Sequence, residues 1–147
     1  FLFEDEPVRV MALIDRDPAF KTDRMASVVA DFGGGRQLSF MVSTQLCPYQ
    51  TLNVFGTKAR AEIMIPYNAP ADKETALIVD AGESLDGSLA GCEIVPACDQ
   101  YTEQAEMFAQ AILTRRGLPY GIEDSIASMR VLDAVFASEE QKTWANL

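Results

Sequence analysis

The side chains that could do chemistry here are carboxylates, amides, phenols and three thiols. The 147 residues contain no histidine. Carboxylates come in clusters at Glu4/Asp5/Glu6, Asp15/Asp17, Glu123/Asp124 and Glu139/Glu140. Two carboxylates share acid and base work only where a shielded cleft drives their pKa values apart. These clusters fall in loops and at helix ends, so solvated surface charge is expected. A serine nucleophile would lack its imidazole base, and Ser84 and Ser88 lie in a loop without a nucleophile elbow. Cys47, Cys92 and Cys98 are too few for a disulfide framework and, without His, lack the spacing of a zinc site. They read as small buried or half-buried thiols of a reducing compartment. Gly33-Gly34-Gly35 runs into a strand rather than a helix, so it is a turn and not a phosphate cradle. No catalytic, cofactor-binding or metal-ligating residue is assigned. What remains is Gln45, Tyr49 and Gln50 around Pro48. Two amides and a phenol at strand ends can hydrogen-bond a polyol, or serve as ordinary turn residues.

The elements that must position these groups follow from hydropathy patterning. Gln37 to Ile65 reads as three consecutive antiparallel strands. Leu38, Phe40, Val42, Thr44 and Leu46 alternate with Gln37, Ser39, Met41, Ser43 and Gln45, the period of a strand with one buried face. Further strands follow at Thr51 to Phe55 and, after the turn Gly56-Thr57-Lys58-Ala59, at Arg60 to Ile65. Upstream, Val8 to Asp15 and Met25 to Phe32 are strands joined by a charged loop holding Pro18. Downstream, Thr75 to Asp80 and Cys92 to Pro96 add two more, the last near an edge because Pro96 cannot donate to a ladder.

The pattern then changes period. Tyr101, Ala105, Phe108 and Ile112 form one helical stripe within Asp99 to Arg116. Asp99 is the expected N-cap and Gly117 the expected C′ residue. Ile122 to Ser138 repeats the pattern, with Glu123 and Asp124 in its first turn. The tail holds Trp144 and is expected to add a short extended piece. Strands first and helices last define an α+β fold: a largely antiparallel, open-faced sheet with two C-terminal helices packed on one face. The face away from the helices would carry Ser39, Met41, Phe55, Arg60, Glu62 and Met64. Apolar side chains interleaved with a possible Arg60/Glu62 pair fit an interface, a ligand-facing wall, or a solvated surface with stray apolar residues.

Length and composition bound the function. The chain is sized for one domain, and 48% hydrophobic with 23% charged residues fits a globular fold. A formal net charge of −10 repels phosphate backbones, which argues against nucleic-acid binding. No apolar run is long enough to span a membrane. The first residues, Phe1-Leu2-Phe3, form an apolar patch without Met, as expected of a piece of a longer protein.

Several segments together resemble the Gfo/Idh/MocA family of oxidoreductases. VFGTKARAEIMIPYNAP is similar to the family's V-x-G-T-x-G-x-[IL]-x-[IV]-x-x-P-[FY] stretch, with Ala59 in place of the second glycine. FLFEDEPVRVMAL resembles the entry into its C-terminal domain. Tyr101, Phe108, Ala111, Ile112, Pro119, Asp124, Ala134 and Ser138 fill its closing pattern. Within the family the wording is most similar to sugar dehydrogenases of the xylose-dehydrogenase kind.

The resemblance implies an NAD(P)-dependent, cytoplasmic dehydrogenase acting on a sugar or polyol by hydride transfer. Its Rossmann domain, catalytic Lys and acid/base His would lie upstream of residue 1. Residues 1–147 would be the single C-terminal domain, walling the substrate site and pairing subunits into a homo-oligomer through the open sheet face. NAD or NADP would bind the full-length protein and not this part, which alone would be inactive. Gln45 and Tyr49 become the expected substrate contacts. The competing expectation is a stand-alone assembly or ligand-binding module without catalysis.

Overall fold

A computed structural model describes residues 2–147. The chain divides into two compact units, Phe1–Leu46 with Pro119–Leu147, and Cys47–Leu118.

The first unit is a four-stranded antiparallel sheet, order β3-β2-β1-β8, with one helix on it. Its strands are β1 (Arg9–Arg16), β2 (Asp23–Asp31), β3 (Gln37–Ser43) and the two-residue β8 (Ala145–Asn146). The registers Val10↔Ala30 and Ala12↔Val28 put small and branched side chains on one face, where the 20-residue α2 (Ile122–Gln141) lies. Val10, Val28, Ala30, Ala134, Val135 and Ala145 form the core, and Val10 is fully buried. Leu38, Phe40 and Val42 share that face through Ala30↔Leu38, Val28↔Phe40 and Ala26↔Val42, but stay partly exposed at the sheet's edge. The turn between β2 and β3 uses Gly33, Gly34 and Gly35 at φ of +73°, +62° and +83°, a left-handed run that only glycine makes without strain.

Ser138 holds this unit together at a place where the ladder stops. β8 pairs only with Arg9 and Val10, so the next outward-pointing donor of β1, the Ala12 N–H, has no strand beside it. It donates to Ser138 Oγ at 3.1 Å, and Ser138 Oγ donates to the Thr143 carbonyl at 2.6 Å. A helix side chain thus finishes a sheet edge and ties down the turn leading to β8, with Ser138 1% exposed.

The second unit is another antiparallel sheet, order β4-β5-β6-β7: β4 (Thr51–Phe55), β5 (Arg60–Met64), β6 (Thr75–Asp80) and β7 (Gly91–Val95). The 15-residue α1 (Gln100–Thr114) follows. Asp99 caps it as expected, accepting from the Tyr101 N–H at 3.1 Å and the Thr102 hydroxyl at 2.7 Å.

The α+β class, the antiparallel pairing and the short extended tail are as the sequence led us to expect. Three details differ. β3 and β4 belong to separate sheets, so Gln37 to Ile65 is not one meander: Thr44 to Gln50 makes no ladder, and Pro48 has no N–H to offer one. α2 covers a sheet face, whereas no residue of α1 is buried and Tyr101, Phe108 and Ile112 remain exposed. Arg115, not Gly117, takes the left-handed C-cap of α1, at φ +53°, its N–H reaching the Ala111 and Ile112 carbonyls. Ala59 sits in its turn without a positive φ, and its carbonyl accepts the Gly56 N–H at 2.9 Å, so the missing second glycine costs nothing.

Candidate functional site

Three surfaces carry the residues singled out from the sequence. The first is the open face of the β3-β2-β1-β8 sheet. The rows Met11↔Val29↔Ser39 and Leu13↔Ser27↔Met41 run across it, away from α2. Leu13 is 69% and Met41 59% exposed. With Trp144 and Lys142 they line an open groove of about 760 Å³. Arg9 frames one end, its guanidinium 4.6 Å from the Trp144 ring centroid and 2.9 Å from Asp31. At the other end Arg24 pairs with Asp15. Ser39 and Met41 therefore stand where expected. Met11, Leu13, Val29 and Trp144, their neighbours on this face, were missed. β1 carries apolar residues on both faces, and alternation alone does not show which face a helix takes.

The second surface is one face of the β4-β5-β6-β7 sheet. Phe55↔Arg60↔Asp80 and Asn53↔Glu62↔Ile78 stand in register, with Thr51↔Met64 beyond. Phe55 is 77% exposed. Arg60 Nε donates to Asp80 Oδ2 at 3.1 Å and Nη1 to Glu62 Oε2 at 3.5 Å. Asp80 is buried, and its Oδ1 accepts the Gly82 N–H at 2.8 Å. Gly87, at φ +70°, lies so close that a Cβ there would stand 3.0 Å from Arg60 Nη2. Arg60 and Glu62 thus have partners within their own unit. Asp80, the centre of the cluster, was invisible in the sequence because it reads as the turn residue ending an apolar strand. Phe55 and Met64 share this face, while Ser39 and Met41 belong to the other unit.

The third is the chain between the sheets. Gln45 lies one residue before the end of its unit's first stretch, and its N–H donates to Ser43 Oγ at 3.1 Å. Tyr49 lies near the start of the second unit, which begins at Cys47, and is 74% exposed. The two residues fall in different units.

The carboxylates behave as surface groups. Hydrogen bonds from the Ser84 hydroxyl and then the Ser88 N–H hold Asp86 down at about 2, from an ordinary 3.8. Asp31 is lowered by the Gly33 N–H and then Arg9, Asp99 by Thr102 and then the Tyr101 N–H, and Glu139 by Lys142 and then Arg16. A folded-state pKa below the unfolded one adds stability above the unfolded pKa, and that stability is lost as pH falls through the folded value. We expect stability to be level above the ordinary carboxylate range and to decline from there toward pH 2. Asp86→Asn should make that decline shallower from the ordinary carboxylate range down to about 2. Urea unfolding at stepped pH checks this. A decline beginning near neutrality would contradict it.

No group of three or more Cys, Asp or Glu is arranged to hold a metal among the described residues. Cys47, Cys92 and Cys98 are unpaired and exposed, not buried or half-buried as expected, because they lie in loops and on the edge strand β7 outside the core. No described helix is long and apolar enough to cross a membrane.

No family model matches the chain. A curated relative, an uncharacterized oxidoreductase (ORF334) of Rhizobium meliloti, is 38% identical over 143 residues, which is 97% of this chain and 43% of the relative. Among solved structures, aldose-aldose oxidoreductase of Caulobacter crescentus, crystallised with glycerol, superposes with a TM-score of 0.81 at 20% identity, over 99% of this chain and 43% of its own. KijD10, a 3-ketoreductase of Actinomadura kijaniata solved with NADP and TDP-benzene, gives a TM-score of 0.77 at 18% identity, over 88% and 38%. The chain spans less than half the length of each. The resemblance seen in the sequence is borne out this far: the chain is similar to an oxidoreductase over almost its whole length, and it has the fold of the part of these oxidoreductases that it spans.

Proposed function

We propose that residues 1–147 act as the single C-terminal domain of an NAD(P)-dependent oxidoreductase of sugars or polyols, walling the substrate site and joining subunits. The observation that carries this is 38% identity to an oxidoreductase, sustained over almost the whole chain yet over only 43% of that relative. An aldose-acting and an NADP-bound neighbour of the same fold support the substrate and cofactor classes. In this reading a dinucleotide-binding domain outside the chain holds NAD or NADP, which takes or gives the hydride. This chain's share is contact and orientation: Gln45 and Tyr49 offer an amide and a phenol to sugar hydroxyls. Three exposed thiols support a cytoplasmic, reducing setting.

The test is nicotinamide reduction by the full-length protein across a panel of aldoses and polyols, with NAD and NADP in separate arms. Turnover on at least one sugar is expected. Absence of turnover on every sugar, together with absence of cofactor binding, would overturn the reading.

For the subunit role we assign the groove face of the first unit, extending the Ser39 and Met41 assignment to Met11, Leu13, Val29 and Trp144. A mostly apolar strip, bounded by the Arg9–Asp31 pair at one end and the Asp15–Arg24 pair at the other, suits a second copy of itself related by a two-fold axis. Phe55, Arg60, Glu62 and Met64 remain secondary contacts in this proposal. Met41→Lys places a charge in the middle of the strip and is expected to turn the oligomer into a monomer on light scattering. An unchanged mass for Met41→Lys and for Leu13→Lys would remove the face from the assembly.

A further inference from the structure

Ile65 stands at φ +50°. A β-branched side chain in the left-handed region is a strained outlier, and such strain persists only where the surroundings over-determine it. Here they do. The Ile65 N–H donates to the Gln50 carbonyl at 3.3 Å, extending the β4–β5 ladder by one bond. The Thr75 hydroxyl donates to the Met64 carbonyl at 2.6 Å, pinning the residue before. The Asn68 N–H donates to Gln50 Oε1 at 3.2 Å, pinning the chain beyond.

The left-handed step ends the ladder and turns Pro66 and Tyr67 out of it. Tyr67 is 61% exposed, on the same hairpin end as Tyr49. The Gln50 side-chain carbonyl oxygen is committed to the Asn68 N–H, while its amide NH2 has no partner among the described residues. Among the described residues the Asn68 carboxamide and the Tyr67 hydroxyl have no hydrogen-bond partner. An aromatic face beside two unspent amides, on a corner braced at three points, is the chemistry that receives a polyhydroxylated ring or chain: C–H faces on the phenol ring, hydroxyls on the amides.

We propose that Tyr67, Asn68 and Gln50 form a carbohydrate-contacting corner, and that the strained Ile65 sets its position. The proposal names further substrate-specificity residues and so rests on the oxidoreductase reading above. The two fail differently, because binding is measured apart from turnover.

The experiment uses the full-length protein and a panel of aldoses and polyols. Ligand-observed NMR reads binding, cofactor-dependent turnover reads KM, and thermal melting reads folding. Tyr67→Ala and Asn68→Ala should each weaken sugar binding about tenfold, the loss of one good contact, with melting and cofactor affinity unchanged. Tyr67→Phe should retain most of the affinity. Ile65→Gly should melt no lower than the parent yet bind the sugar more weakly, which separates positioning from folding. Sugar binding with neither turnover nor cofactor binding supports the corner and overturns only the catalytic reading. Sugar affinity unchanged in both alanine variants, or no sugar bound by the parent, overturns the corner.

Discussion

Arg60→Ala should unfold the second unit's sheet far more readily than any other change on its surface. Asp80 is a carboxylate with its side chain 5% exposed, and Arg60 Nε at 3.1 Å is the cation beside it. Leaving one member of a buried ion pair behind costs about 3–5 kcal/mol. Arg60 is itself one-third exposed, so we expect the lower end, about 3 kcal/mol. Lysine keeps the charge but not the fork that reaches both Asp80 and Glu62, so Arg60→Lys should recover part of the loss. The decisive comparison is the double variant with Asp80→Asn. Removing the stranded charge should restore much of what Arg60→Ala took, giving a coupling well above the few tenths of a kcal/mol seen for independent sites. If denaturant unfolding places Arg60→Ala within about 0.5 kcal/mol of the parent, the pair is an ordinary surface contact and Asp80 needs another explanation.

Ser138→Ala is expected to have the other large effect, in the first unit. The hydroxyl accepts from Ala12 and donates to Thr143 at once. Alanine would strand a donor and an acceptor in a site that water scarcely reaches, each costing about 1–3 kcal/mol. A total of about 2–6 kcal/mol is expected on that basis. Two signatures separate this from general loosening. Amide exchange at Ala12 should accelerate beyond that of its β1 neighbours toward β2. Ser125→Ala, on the exposed first turn of the same helix, should stay within about 0.5 kcal/mol of the parent. Equal effects of the two serine variants would count against the bridging role.

These residues show what patterning alone discloses and what it hides. Period-two alternation placed Leu38, Phe40 and Val42 on one face and Ser39 and Met41 on the other, because pleating enforces it within a strand. It could not show that β3 and β4 part company. Pairing is decided by which ladders close, and that depends on a linker without donors at Pro48. The α2 stripe and the Asp99 cap were legible because helix geometry and capping are local. Ser138 was seen only as a place-holder in a family pattern. Its bridge joins residues 126 positions apart, beyond any window of periodicity. Asp80 was hidden for the same reason, since its meaning comes from the register that sets it opposite Arg60.

The Ala12–Ser138 bridge also has a bearing on synthesis. While the chain is being made, β1 can zip to β2 early, but its other side stays bare until residues 138–146 emerge from the ribosome. At about 5–20 residues per second that leaves roughly 6–25 s in which the nascent sheet offers an unpaired flank to other chains. Messages truncated before the codon for Ser138 should therefore yield products that collect in inclusion bodies, and a chaperone that shields strand edges should matter most in that interval.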